Sequence, residues 1–251
     1  MEKAVGLLRE QHEELAGLLS GLDEAGWRRP SRCEGWSVAD VVLHLAQTDA
    51  MALASARGTF AEYVTEVGRS IGGSASIDEG ADRMVEQERG APGSAVLARW
   101  QAGTDELRQA LLACEPSQRV QWVAGELSAR TLATTRLAET WIHTGDVADG
   151  LGVRVSAGDR LRPIARLAWR TIPYAFTRAG RELSGPVAFE LRSPNGEAWN
   201  FVPDEDPLTT IRGDALDLCL VAARRVDPAD TGLRGEGPDT ATVLELVRTY
   251  A

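Results

Sequence analysis

Residues 136–147 read Arg136-Leu137-Ala138-Glu139-Thr140-Trp141-Ile142-His143-Thr144-Gly145-Asp146-Val147, and the fold turns on this stretch. Arg136, Glu139, His143 and Asp146 follow one another at intervals of three, four and three. At about 100° per residue they fall within an arc of about 80° on one helical face. The apolar Leu137, Ala138, Trp141 and Ile142 occupy the rest of the helix circumference, so apolar residues flank the stripe. The pattern is that of a helix whose polar stripe points into a bundle, where buried polar groups need partners.

Working outward, the spacing predicts this helix over Leu127 to Gly150, ended by Gly150 and Gly152. Upstream, Val5, Leu8, His12, Leu15, Leu19 and Leu22 recur every three or four residues and predict a first helix over residues 2–24. A loop from Gly26 to Trp36, carrying Pro30, ends at Ser37-Val38-Ala39-Asp40, a capping-box start for a second helix running to about Glu66. Gly72, Gly73 and Ser74 break the pattern. After an acid-rich polar stretch, Pro92 and Gly93 introduce a third helix over Ser94 to Ala113. Four long helices in the first 152 residues predict an antiparallel four-helix bundle.

Residues 153–251 have a different texture and read as a small α+β domain. Leu161 to Arg178 has helical spacing, whereas Pro186 to Arg192 alternates with period two. Asn195-Gly196 is a hairpin turn signal, with Ala198 to Val202 as the returning strand. A third strand is expected through Leu208 to Arg212, a helix over Gly213 to Arg225, a short strand over Thr231 to Gly235 and a closing helix over Thr240 to Tyr250.

The 251 residues are 43% apolar and 25% charged, enough for real cores and incompatible with a disordered chain. With 27 basic and 37 acidic residues the net charge is −10, which argues against a phosphate-binding surface and hence against nucleic acid as partner. No apolar run approaches the length of a membrane span, and the amphipathic, acidic N-terminus lacks the features of a signal peptide, so a cytoplasmic protein with no membrane partner is expected. Cys33, Cys114 and Cys219 are odd in number and widely spaced, which supports neither a disulfide framework nor a cysteine zinc site.

Glu139 and His143, at i and i+4, present a carboxylate and an imidazole to a common point, as when one helix gives two ligands to a divalent metal. Only His12, His44 and His143 are available as histidines. His44 lies about 60° beyond Val41, at the edge of the apolar stripe of helix two, and is the better third ligand. His12 falls within the apolar stripe of helix one and reads as a core histidine; Cys33, in the preceding loop, reads as a semi-buried thiol. The same Glu–His spacing also occurs on exposed helices, where it contributes only a few tenths of a kcal/mol, and that reading stays open here.

Ser31 to Leu45, with Gly35-Trp36-Ser37-Val38 and His44, resembles the first signature of the mycothiol-dependent maleylpyruvate isomerase family, within the DinB-like metalloenzyme group. Arg136 to Val147 resembles its second. The resemblance implies a DinB-like four-helix bundle followed by a small α+β domain. It also implies a divalent metal, usually zinc, held by His44, Glu139 and His143, and mycothiol as thiol cosubstrate. In the isomerases an arginine of the C-terminal domain reaches the active site, and Arg224 is the best local match, although Ala223 stands where the family has glycine. Arg136 and Asp146 are expected to orient a ligand or the substrate.

The reading that follows is a metal-dependent thiol enzyme of isomerase or S-transferase type acting on a small electrophile. Coordination favours the thiolate of a thiol whose ordinary pKa is near 8.5. A zinc-dependent hydrolase or lyase activating water and a non-catalytic metal- or ligand-binding protein are the alternatives.

Overall fold

In chain order, the computed structural model begins with α1 (Glu2–Leu19), the short α2 (Glu24–Trp27), α3 (Val38–Arg57) and α4 (Phe60–Ile71). There follow α5 (Ile77–Glu88), α6 (Gly93–Ala113), the paired strands β1 (Arg119–Val120) and β2 (Leu127–Ser128), and α7 (Ala129–Leu151). Residues 1–74 and 76–249 are described, and these elements form one unit, Met1–Val155. The long helices α1, α3, α6 and α7 make the bundle, with α1 and α3 each packed against both α6 and α7. Leu8 and Leu15 of α1, Val41 and Leu45 of α3, Trp100 and Leu107 of α6, and Leu132 and Val147 of α7 are buried between them. Each such side chain stabilises the fold by about 1.5–3 kcal/mol through its removal from water.

The expected capping box is present. The Ser37 hydroxyl accepts from the Asp40 amide at 3.2 Å, while the Asp40 carboxylate accepts from the Ser37 amide at 2.8 Å. Helix two does not run to Glu66, however. Gly58 adopts φ +78°, a left-handed conformation that ends α3, and the chain restarts as α4. The acid-rich polar stretch, to which sequence spacing assigns no element, contains α5, opened by Ser76, whose hydroxyl accepts from the Glu79 amide. α7 starts at Ala129 rather than Leu127, because Leu127 pairs with Val120 in the β1–β2 ladder. It ends at Gly152, not Gly150. Gly150 lies inside the helix, where a Cβ would stand 2.5 Å from the Pro30 carbonyl oxygen, so its bareness lets the loop before α3 lie directly on α7.

The second unit begins at Ser156. It contains α8 (Leu161–Arg170), α9 (Ile172–Arg178), β3 (Val187–Arg192), β4 (Ala198–Phe201), β5 (Thr209–Asp214), α10 (Ala215–Ala222), β6 (Arg234–Glu236) and α11 (Thr240–Leu246). The single helix expected over 161–178 is interrupted at Thr171, since Pro173 has no N–H for the Trp169 carbonyl. β3 and β4 form the expected antiparallel hairpin, with Phe189 opposite Phe201 and Leu191 opposite Trp199. The sheet order is β4-β3-β5-β6, and β3 runs parallel to β5. Phe189, Leu191 and Ile211 are buried, whereas Glu190, Arg212 and Glu236 form an ion-pair ladder across the open face. The closing helix is shorter than expected, and Tyr250 lies outside the described residues. The chain is thus a helical domain followed by a small α+β domain.

Candidate metal centre

α3 and α7 are neighbours in the bundle, and each turns histidine toward the other. His44 Nε2 lies 3.0 Å from Glu139 Oε1, and His143 Nε2 lies 3.5 Å from the same oxygen. The two rings meet edge to face with centroids 5.0 Å apart. The three ligand atoms lie within 4.8 Å of one another. A tetrahedral ion with N and O ligands at about 2.0–2.2 Å separates its ligand atoms by about 3.4 Å, so small adjustments admit a cation. Two imidazole nitrogens aimed at one carboxylate oxygen are the right donors for zinc, and the set leaves a fourth position to a non-protein ligand. The histidines are buried, while the Glu139 side chain keeps 20% exposure, which opens the site on that side.

Asp146 and Cys33 flank His143 from behind. Asp146 Oδ2 is 2.9 Å from His143 Nδ1 and accepts from the Cys33 thiol at 3.2 Å, and Cys33 Sγ is 3.8 Å from the same ring nitrogen. A carboxylate on Nδ1 fixes the proton there and leaves Nε2 facing Glu139 and His44. The loop carrying Cys33 is fastened to α7 by the Arg32 amide on the Asp146 carbonyl, at 3.2 Å, and by Arg32 Nη1 on Asp149, at 2.9 Å. Trp36, at the end of that loop, stands 5.1 Å from the His44 ring and donates its indole N–H to Asp82 of α5.

These contacts divide the charges. Burial lowers the pKa of His44, only partly offset by its hydrogen bond to Glu139. Burial also opposes charge on His143, but hydrogen bonds with Asp146, Cys33 and Glu139 outweigh it and hold this imidazole well above its ordinary range. For Glu139, burial alone would raise the pKa. The two histidines, together with the Arg136 charge, instead keep it well below the usual carboxylate range.

The polar stripe read from sequence therefore splits three ways. Glu139 and His143 meet His44, and Asp146 supports His143. Arg136 faces neither. Expected to orient a ligand or the substrate, it is buried, with Nε donating to Asp49 Oδ1 and Nη2 to Thr48 Oγ1, both at 2.9 Å. Its guanidinium is committed to an internal ion pair with Asp49, one of several polar residues of α3, and helical spacing alone does not say which of them faces α7. Arg224 belongs to the second unit. It is exposed, just past α10, and adopts the left-handed φ of +59°. Cys33 was read as a plain thiol; its nearness to His143 and Asp146 depends on the loop's docking on α7, although it stands four residues before the cap that opens α3. His12 is a core histidine, accepting from Arg108 Nη1 at 2.8 Å.

Comparisons with known proteins bear on the family and the fold. The profile of the mycothiol maleylpyruvate isomerase N-terminal domain matches residues 8–148, a range that includes Cys33, His44, Glu139, His143 and Asp146. Two Mycobacterium tuberculosis proteins, Rv0036c of strain ATCC 25618 / H37Rv and MT0041 of strain CDC 1551 / Oshkosh, both uncharacterised, are each 31% identical over 247 residues, covering 97% of this chain and 93% of theirs. The crystal structure of the mycothiol-dependent maleylpyruvate isomerase superposes with a TM-score of 0.61 at 21% identity, covering 93% of this chain and 92% of that one. A histidine-to-alanine mutant of the same isomerase gives 0.61 at 20% identity. At that identity the likeness is one of fold. By the profile and the extent of the match, the chain belongs to the mycothiol maleylpyruvate isomerase N-terminal domain family.

Proposed function

We propose that the protein is a metal-dependent thiol enzyme in which His44, Glu139 and His143 hold a divalent cation, zinc by donor chemistry, and a low-molecular-weight thiol, mycothiol by family, attacks a small electrophile. The observation that carries this reading is the convergence of two imidazoles and one carboxylate from α3 and α7 within 4.8 Å. When bound, the cation supplies Lewis-acid chemistry that favours the thiolate form of a coordinated thiol. The chain's own residues do the rest. Asp146 holds the proton on His143 Nδ1, so that the ring offers its other nitrogen, and the partly exposed Glu139 marks the side from which small molecules arrive. The family and the solved isomerase of like fold support the thiol reading over one in which water is activated.

Calorimetry with mycothiol on zinc-loaded and metal-stripped protein tests it. Binding is expected on the loaded protein and lost or much weakened on the stripped one. Equal affinity for both refutes thiol coordination, and product formed equally well without thiol transfers the reading to the hydrolase or lyase alternative. His143→Ala is expected to lose most bound metal while keeping its helical circular dichroism, because the bundle rests on its apolar stripes.

A further inference from the structure

We propose that the other edge of the His143 ring belongs to a second cation site, formed by Cys33 Sγ, His143 Nδ1 and Asp146 Oδ2, which takes a thiophilic divalent ion such as zinc or cadmium. The three atoms are separated by 3.8 Å (S to N), 3.2 Å (S to O) and 2.9 Å (N to O). A tetrahedral ion with a sulfur ligand at about 2.3 Å and N and O ligands at about 2.0–2.2 Å requires separations of about 3.6, 3.6 and 3.4 Å. Every edge is within about half an ångström of that requirement. The atoms that form this triangle also lie within 4.8 Å of one another as a set, as do those of the His44 site.

The site is built rather than incidental. Asp146 and His143 are buried on α7, one turn apart, and Cys33 is half-buried on a loop that Arg32 fastens to the same helix. Gly150 allows that loop to close on α7, which brings the sulfur within reach. Donor chemistry separates the two sites. His44, Glu139 and His143 give N, O and N, whereas Cys33, His143 and Asp146 give S, N and O, a set selective for softer ions. Binding displaces the Cys33 thiol proton and the His143 Nδ1 proton to solvent, and the carboxylate of Asp146 exchanges those two hydrogen bonds for the ion. With both sites filled the ring carries no proton and bridges as an imidazolate, Nε2 to one ion and Nδ1 to the other. The second ion replaces the Nδ1 proton that Asp146 holds when this site is empty, and His143 is the shared ligand. The inference needs no cation at the His44 site, and its test separates the two.

Apo protein is titrated with cadmium, with stoichiometry read by calorimetry and thiolate ligation read by thiolate-to-cadmium charge-transfer absorption. Wild type is expected to bind two equivalents, one of them with the band. His44→Ala is expected to keep one equivalent and the whole band. Cys33→Ser is expected to lose the band and one equivalent with unchanged circular dichroism, and His143→Ala to lose both equivalents. Absence of the band from wild type overturns the proposal, as does its persistence in Cys33→Ser, which would assign it to Cys114 or Cys219. Loss of the band in His44→Ala also overturns it, because one shared ion would then explain all ligation. Failure of the thiol-enzyme reading would show instead as mycothiol-independent behaviour with the cadmium pattern intact.

Discussion

Replacing Asp49 by Asn tests what holds the bundle together behind the candidate metal centre. Arg136 is 2% exposed and Asp49 fully buried, and their contact is 2.9 Å long. Asn keeps the shape and one acceptor but removes the charge, and arginine cannot shed its proton to escape burial. Breaking a buried pair from one side costs about 3–5 kcal/mol, and Asp49→Asn is expected to fall in that range. The reverse substitution is milder. Burial already pushes the pKa of Asp49 up, with Arg136 pulling the other way, so in Arg136→Met the carboxylate escapes by taking up a proton. Its cost should therefore shrink as pH falls from about 8 to about 5, whereas the cost of Asp49→Asn should not. An Asp49→Leu, Arg136→Met double variant should recover to within about 1–2 kcal/mol of wild type, because apolar replacement of both partners removes both desolvation penalties. Urea unfolding followed by far-ultraviolet circular dichroism measures all three. An Asp49→Asn cost below about 1 kcal/mol, or equal and pH-independent costs for the two single variants, refutes the reasoning.

Two other outcomes are expected. His12, lowered to about 3 by burial and by the charges of Arg108 and Arg136, binds its proton more readily when unfolded, so its contribution is complete above about pH 6.5 and is lost as pH falls. Stability should drop by about 2–3 kcal/mol between about pH 6.5 and 4.5, and the drop should be visibly smaller in His12→Gln; an identical pH profile in the variant rules out this source. Gly150→Ala gains up to about 1 kcal/mol of helix propensity but sets a Cβ 2.5 Å from the Pro30 carbonyl, and overpacking of about 1–3 kcal/mol should prevail. A raised urea midpoint in that variant contradicts the close approach.

The bundle was legible because its helices carry apolar positions at regular spacing, and the Ser37 start was legible because a cap is a local device. Local signals failed where a single residue overrode a continuing pattern. Gly58 sits in a run that otherwise reads helical, and one glycine there is compatible with either outcome until its φ is known. α5 was hidden because it buries only Gly80 and Val85, too few positions to show an apolar spacing. At the centre, spacing placed Arg136, Glu139, His143 and Asp146 on one face, but a face does not say what lies across from it. His44 was found because histidines are few, whereas Asp49 and Cys33 depended on how α3 and the loop at 28–37 dock on α7. The parallel pairing of β3 with β5 was likewise beyond period-two reasoning, which gives strands but not their order.

Gly150 stands at the same angular position on α7 as the polar stripe, since fourteen residues beyond Arg136 return it to that arc of about 80°. One line along the helix, about 21 Å long, thus carries the buried ion pair, the candidate ligands Glu139 and His143, the Asp146 that hydrogen-bonds His143, and the loop contact. A rotation or one-residue slip of α7 breaks all of them together, which couples the centre to the docking of the helix. The amides of α7 from Arg136 to Gly150 should accordingly exchange their hydrogens as one cooperative block, opening with the bundle and not before it.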